Sequence, residues 1–129
     1  MRVVYAILYC IMFPFFSLVH PVRAIGRENI PEGGALVCAN HTRLSDPLMV
    51  VCAFQLRNQL RPMAKSEFMS IPVLGWLLKK AGVFAVDRGK SDVGAIKTAL
   101  RFLKSGEKVL IFPEGTRHKD GKAGAAKTG

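Results

Sequence analysis

The sequence predicts an α/β domain: a mainly parallel sheet flanked by helices, with a hydrophobic anchor helix at its N-terminus. Three observations lead there. From Ile25 onward, short apolar runs alternate with helix-length segments, the pattern of strand–helix–strand units. The chain has 129 residues, 50% of them hydrophobic, which suits one modest domain with a packed core. Finally, His41, Lys65, Arg88 and Glu114 each follow the end of an apolar run. In a parallel sheet those ends share one edge, where open α/β sheets bind ligands.

The elements follow in order. Val3 to Val19 carries no charged residue and sits near the lower length limit of a membrane-spanning helix, roughly 17 residues. Pro14 is expected to kink or break it. Tyr5, Tyr9, Phe13, Phe15 and Phe16 make it aromatic-rich, which suits an interfacial or shallowly inserted anchor. Residues 1–24 are therefore read as a membrane anchor and 25–129 as the functional domain. A cleaved signal is the rival reading, because Val22-Arg23-Ala24 resembles a small-x-small site; a buried domain helix is another. Ala35 to Ala39 reads as a buried strand. Asp46-Pro47 is a helix start, with Asp at the N-cap and Pro at the first helical position, for a helix to about Arg57. A short strand around Pro62 to Ala64 leads to Lys65. Pro72 to Lys80 reads as a helix stopped near Gly82, and Val83 to Val86 as a strand delivering Asp87-Arg88. A helix is expected from about Asp92 to Lys104, with Val93, Ile96, Leu100 and Leu103 on its buried face and Gly106 as its stop. Val109 to Phe112 is the last strand. His118 to Gly129, rich in Lys, Gly and Ala, reads as a mobile loop or the start of a further element.

Composition narrows the function. Nineteen Lys+Arg against nine Asp+Glu leave a formal charge of +10, which calls for an anionic partner. Nucleic acid is disfavoured, because aromatics are not interleaved with the basic residues as stacking readers require. An anionic membrane surface or a phosphorylated substrate remains. Arg23 and Arg27 follow the apolar segment while only Arg2 and the amino terminus precede it, a bias toward a cytoplasmic body. Cys10, Cys38 and Cys52 form no disulfide framework and have no metal-ligand spacing. They read as reduced thiols, with Cys38 a small buried hydrophobe.

The chemistry-bearing residues fall in three segments. In Asn40-His41-Thr42-Arg43-Leu44-Ser45-Asp46, His41 is a base candidate at neutral pH. Asp46 either orients its ring or caps its own helix; on a continuous helix a separation of five would not pair them, but a turn before the helix start would. Arg88 carries a planar fork suited to phosphate, or else an ion pair with Asp87. Phe112-Pro113-Glu114-Gly115-Thr116-Arg117 combines a tight turn, a hydroxyl and a guanidinium, and could form an anion nest with Thr116 and Arg117 as donors. Glu114 would repel phosphate, so it suits a substrate hydroxyl or a bracing role. Lys65 alone reads as a solvated surface lysine.

Together Asn40-His41-x4-Asp46, Gly82-x-Phe84-x-x-Asp87-Arg88 and Phe112-Pro113-Glu114-Gly115-Thr116-Arg117 resemble the first three motifs of the glycerolipid acyltransferase family, in particular its bacterial 1-acyl-sn-glycerol-3-phosphate acyltransferases. Gly26-x-Glu28-Asn29-Ile30-Pro31 and Lys65-Ser66-Glu67-Phe68 fit the same family. The resemblance runs from about Gly26 to the C-terminus. It implies acyl transfer from acyl-CoA or acyl carrier protein to the sn-2 hydroxyl of lysophosphatidic acid, giving phosphatidic acid at the cytoplasmic face of the cell membrane. His41 and Asp46 would be catalytic. Arg88, Thr116, Arg117 and Lys65 would hold the acceptor phosphate, with Glu114 and Gly115 beside the glycerol. No metal and no cofactor are implied. Family members continue beyond a Lys-x-Gly stretch like Lys127-Thr128-Gly129 into a helix and a fourth, proline-containing motif, so the resemblance implies a C-terminally truncated domain. The alternatives are a non-catalytic membrane-binding fragment, or an acyltransferase for glycerol 3-phosphate or another lysophospholipid.

Overall fold

The computed structural model describes residues 2–87, 92–116 and 124–126. Four strands, β1 (Ala35–Cys38), β2 (Leu60–Lys65), β3 (Phe84–Val86) and β4 (Lys108–Ile111), form one sheet in the order β1-β4-β2-β3. All three pairings are parallel, as the alternation of strand and helix requires. The helices are α1 (Arg2–Val19), α2 (Asp46–Phe54), α3 (Ser66–Ser70), α4 (Pro72–Lys80) and α5 (Val93–Lys104).

The sheet has two differently furnished faces. Val109, fully buried, packs with Phe84 of β3 and Ala95 of α5, and Met63, Val86, Ala99, Phe102, Leu103 and Ile111 close round them. By strand alternation Leu60 and Leu110, also fully buried, lie on the opposite face. There α1 contributes Tyr5, buried beside Leu60, and α2 contributes buried Cys52.

Among the described residues no helix is long and apolar enough to cross a membrane. Four expectations change. Helix α1 runs unbroken through Pro14. Among the described residues β1 is an edge strand rather than a buried one: there it pairs with β4 alone, and Leu36 and Cys38 alternate outward and are exposed. On α5 the buried stripe is Ala95, Ala99, Phe102 and Leu103, whereas Val93, Ile96 and Leu100 stay about half exposed. Two alanines admit the helix close to the sheet, and Phe102 fills the space between, which the larger aliphatics could not do at that distance. Lastly, α3 is an extra short helix, absent from the sequence reading, inserted directly after Lys65.

Candidate active site

The strand order brings the first and last reactive segments together. β4 lies beside β1 with Cys38 opposite Ile111. The loops leaving those strands, which carry His41 and Glu114, are therefore neighbours although 73 residues apart in the chain. The Glu114 side chain is only 4% exposed, and its Oε1 accepts the backbone N–H of His41 at 3.3 Å. The His41 ring stacks on Phe112, with centroids 4.3 Å apart and planes 27° from parallel. Backbone and ring of His41 are thus both held by the β4 loop.

The His41–Asp46 segment is a closed turn. Asp46 N donates to Arg43 O at 3.2 Å, and Asp46 Oδ2 accepts N–H groups from Thr42 at 2.6 Å and Arg43 at 2.7 Å. The same oxygen lies 3.2 Å from His41 Nδ1. The N-cap position belongs to Ser45, with Asp46 as the first residue of α2, so the expected N-cap assignment is corrected. Asp46 Oδ2 points backward, toward the loop. Burial pushes the Asp46 pKa up, but the Arg43 and Thr42 N–H groups and the His41 ring outweigh it, and the carboxyl is held below its usual range. An ionised carboxylate only accepts hydrogen bonds, so it favours the His41 tautomer with the proton on Nδ1.

The second pair of strand ends converges less tightly. Lys65 lies opposite Val86 in the sheet, which sets it next to Asp87. Its ammonium binds Glu67 at 2.5 Å and is about half exposed. Asp92 Oδ2 accepts the N–H of Asp87 at 2.8 Å while its Oδ1 caps α5 through Ala95 N at 2.9 Å. One carboxylate thereby ties the end of β3 to the start of α5. Arg88 and Arg117 lie outside the described residues. Gly115 takes φ +65°, a backbone conformation that favours glycine, as its N–H turns back to Phe112 O at 3.0 Å. Thr116 follows and is exposed.

A cavity of about 250 Å³ opens between Cys38–Asn40 of the β1 loop and Pro113–Glu114 of the β4 loop, with Gly124 and Ala126 completing its lining. The larger depression, about 510 Å³, lies on the outer surface of the C-terminal half of α5, between Lys97 and Ser105. That end of α5 leads into the start of β4, so the depression belongs to the opposite end of the sheet from His41. Among the described residues no group of His, Cys, Asp or Glu is arranged to hold a metal.

Two contacts were not legible beforehand. Phe112 was part of a quoted motif but had no role until its ring met His41. Glu114 suits a substrate hydroxyl or a bracing role by sequence, but that its Oε1 holds the His41 backbone was not foreseen. The available signal was that both lie at the end of the last apolar run.

Comparison with known proteins gives a consistent picture. A family model described as Acyltransferase matches residues 21–129. The chain is 31% identical over 122 residues to the chloroplastic 1-acyl-sn-glycerol-3-phosphate acyltransferase LPAT1 of Arabidopsis thaliana, covering 92% of this chain and 32% of that protein. It is 36% identical over 102 residues to the 1-acyl-sn-glycerol-3-phosphate acyltransferase of Bacillus subtilis, covering 78% and 51%. To the Borreliella burgdorferi protein of the same description it is 29% identical over 123 residues, covering 93% and 48%. The chain thus spans from about a third to about half the length of these relatives. No solved structure matches it.

Proposed function

The chain belongs to the acyltransferase family, and from that premise we propose that it transfers an acyl group from acyl-CoA or acyl carrier protein to the sn-2 hydroxyl of 1-acyl-sn-glycerol 3-phosphate, giving phosphatidic acid. The observation that carries this reading is the His41–Asp46 pair, 3.2 Å apart and fastened to the β4 loop through Glu114 and Phe112.

The chemistry needs one proton carried twice. Nε2 of His41 takes the hydroxyl proton as the acceptor oxygen attacks the thioester carbonyl carbon. The resulting imidazolium is stabilised by the Asp46 carboxylate against Nδ1–H. The tetrahedral adduct then collapses, the carbon–sulfur bond breaks, and the thiolate leaves with the proton returned from Nε2. An ester and a free thiol are the products, and no acyl-enzyme forms. Lys65, Arg88, Thr116 and Arg117 hold the acceptor phosphate in this reading, with Gly115 shaping the turn beside the glycerol. Glu114 contributes by holding the backbone of the base.

The acceptor keeps its acyl chain in a bilayer, so the enzyme must work there. Helix α1 supports this: Val3, Ile7, Ile11, Phe15 and Leu18 form an exposed apolar stripe at three- and four-residue spacing. Residues 1–24 serve as an interfacial anchor, residues 25–129 hold the reaction, and the charge of +10 favours the anionic cytoplasmic face of the cell membrane. The test is purified full chain with lysophosphatidic acid and each acyl donor. His41→Ala should lower kcat about 10²- to 10⁴-fold. Turnover near that of the unmodified chain would overturn the assignment.

A further inference from the structure

The crossover between β2 and β3 carries a surface that the proposed chemistry does not use. Gly75 seats α4 against α3, where a Cβ would run into the Met69 carbonyl oxygen. With that side turned inward, α4 presents Val73, 79% exposed, and Trp76, 60% exposed. Positions 73, 76 and 80 share one helix face, so Lys80 continues the stripe and Lys79 flanks it; both lysines are exposed. Phe68 and Ile71, on either side of the end of α3, are exposed as well. No acidic residue occurs from Phe68 to Val86, and Glu67 just before is paired with Lys65.

We propose that this α3–α4 face is a second membrane contact, seated on an anionic bilayer surface in addition to α1. The chemistry is that of an interfacial helix. An indole and aliphatic side chains enter the headgroup boundary while adjacent ammonium groups meet anionic lipid. Other occupants fit less well. A two-fold contact with a second copy would bring Lys79 and Lys80 toward their own equivalents. An acidic protein would match the lysines but leave Val73, Ile71 and Phe68 without a counterpart. Helix α3 begins directly after Lys65, at the sheet edge that carries His41, and α4 runs from there back toward the start of β3, so Lys79 and Lys80 lie toward the opposite edge. The inference rests on the reading that the acceptor stays in the bilayer.

Trp76 is the only tryptophan of the chain, so its emission reports this face alone. With vesicles of phosphatidylglycerol and phosphatidylcholine, Trp76 fluorescence should shift to the blue and be quenched by brominated acyl chains. Lys79→Gln together with Lys80→Gln should weaken binding to those vesicles about tenfold or more, with an unchanged circular dichroism spectrum. Vesicle co-sedimentation with unshifted, unquenched Trp76 would overturn the proposal and leave α1 as the sole contact. A shift that appears without vesicles and grows with protein concentration would assign the face to a second copy. A shift with acyl carrier protein but not with vesicles would assign it to an acidic protein. Acyl transfer in detergent micelles separates the two readings. Activity there with unquenched Trp76 on vesicles sinks only the membrane contact, whereas quenching without acyl transfer sinks only the chemistry.

Discussion

Asp46 gathers two backbone N–H groups and the His41 ring on a single oxygen, and this decides how the site responds to acid. Its carboxyl is held below the usual range despite burial. A carboxylate depressed in the fold stabilises it fully above the unfolded value, about 3.9, and that stabilisation is lost as pH falls through the lower, folded value. The Asp46→Asn chain lacks the charge at every pH. Its melting temperature should therefore lie below that of the unmodified chain at pH 6 and approach it below about pH 4, followed by circular dichroism. Glu67 and Asp92 are likewise held low but are common to both chains, so the difference isolates Asp46. Parallel curves through that window would show that Asp46 carries no such linkage. At this scale the sequence pointed to His41 and Asp46 but left open which way the carboxylate turned. That depended on whether the residues before it formed a turn with free N–H groups, a three-dimensional fact about Thr42 and Arg43.

At the scale of elements, strands and helices were legible because their periodicity and punctuation are local. Pro72 and Gly82 bracket α4, and Asp92 and Gly106 bracket α5, as capping chemistry requires. Which side of a helix is buried was less legible. On α5 the large aliphatics Val93, Ile96 and Leu100 outweigh two alanines in any hydrophobic pattern, yet the alanines face the sheet. Close approach selects small residues, and hydrophobicity alone does not encode distance. Gly75 expresses the same constraint between α3 and α4. Gly75→Ala should cost about 1–3 kcal/mol through overpacking, read as a lower urea midpoint in Trp76 emission. An unchanged midpoint would mean that α3 and α4 separate freely.

For the whole molecule, an ion pair between buried Arg61 and half-buried Glu107 joins distant parts of the chain. Arg61 of β2 is buried and reaches Glu107, just before β4, while its guanidinium lies over the Phe102 ring at 4.9 Å. It also underlies Gly82, which has φ +87° and no room for a Cβ against the Arg61 side chain. β2, α5, β4 and the entry to β3 thus share one contact. Glu107→Ala should cost about 3 kcal/mol, because it leaves the Arg61 charge buried without its partner; Arg61→Met with Glu107→Leu should recover most of that. Urea unfolding of the single and double variants checks both. Equal losses in the two would show that the pair itself, rather than the orphaned charge, is what matters.

By itself, the sequence determined the elements apart from α3, the parallel character of the sheet and the family to which the chain belongs, and it pointed to the shared edge of His41, Lys65 and Glu114. These rest on local periodicity, on the chain length needed to cross between parallel strands, and on motifs that carry their own chemistry. Only the tertiary structure decided that β4 inserts between β1 and β2. Local sequence does not state which strands become neighbours, since that order emerges from packing both faces of the sheet at once. The consequence is geometric: insertion of β4 sets Glu114 and Phe112 against His41, so that this loop histidine is held at its backbone, its ring and its Nδ1.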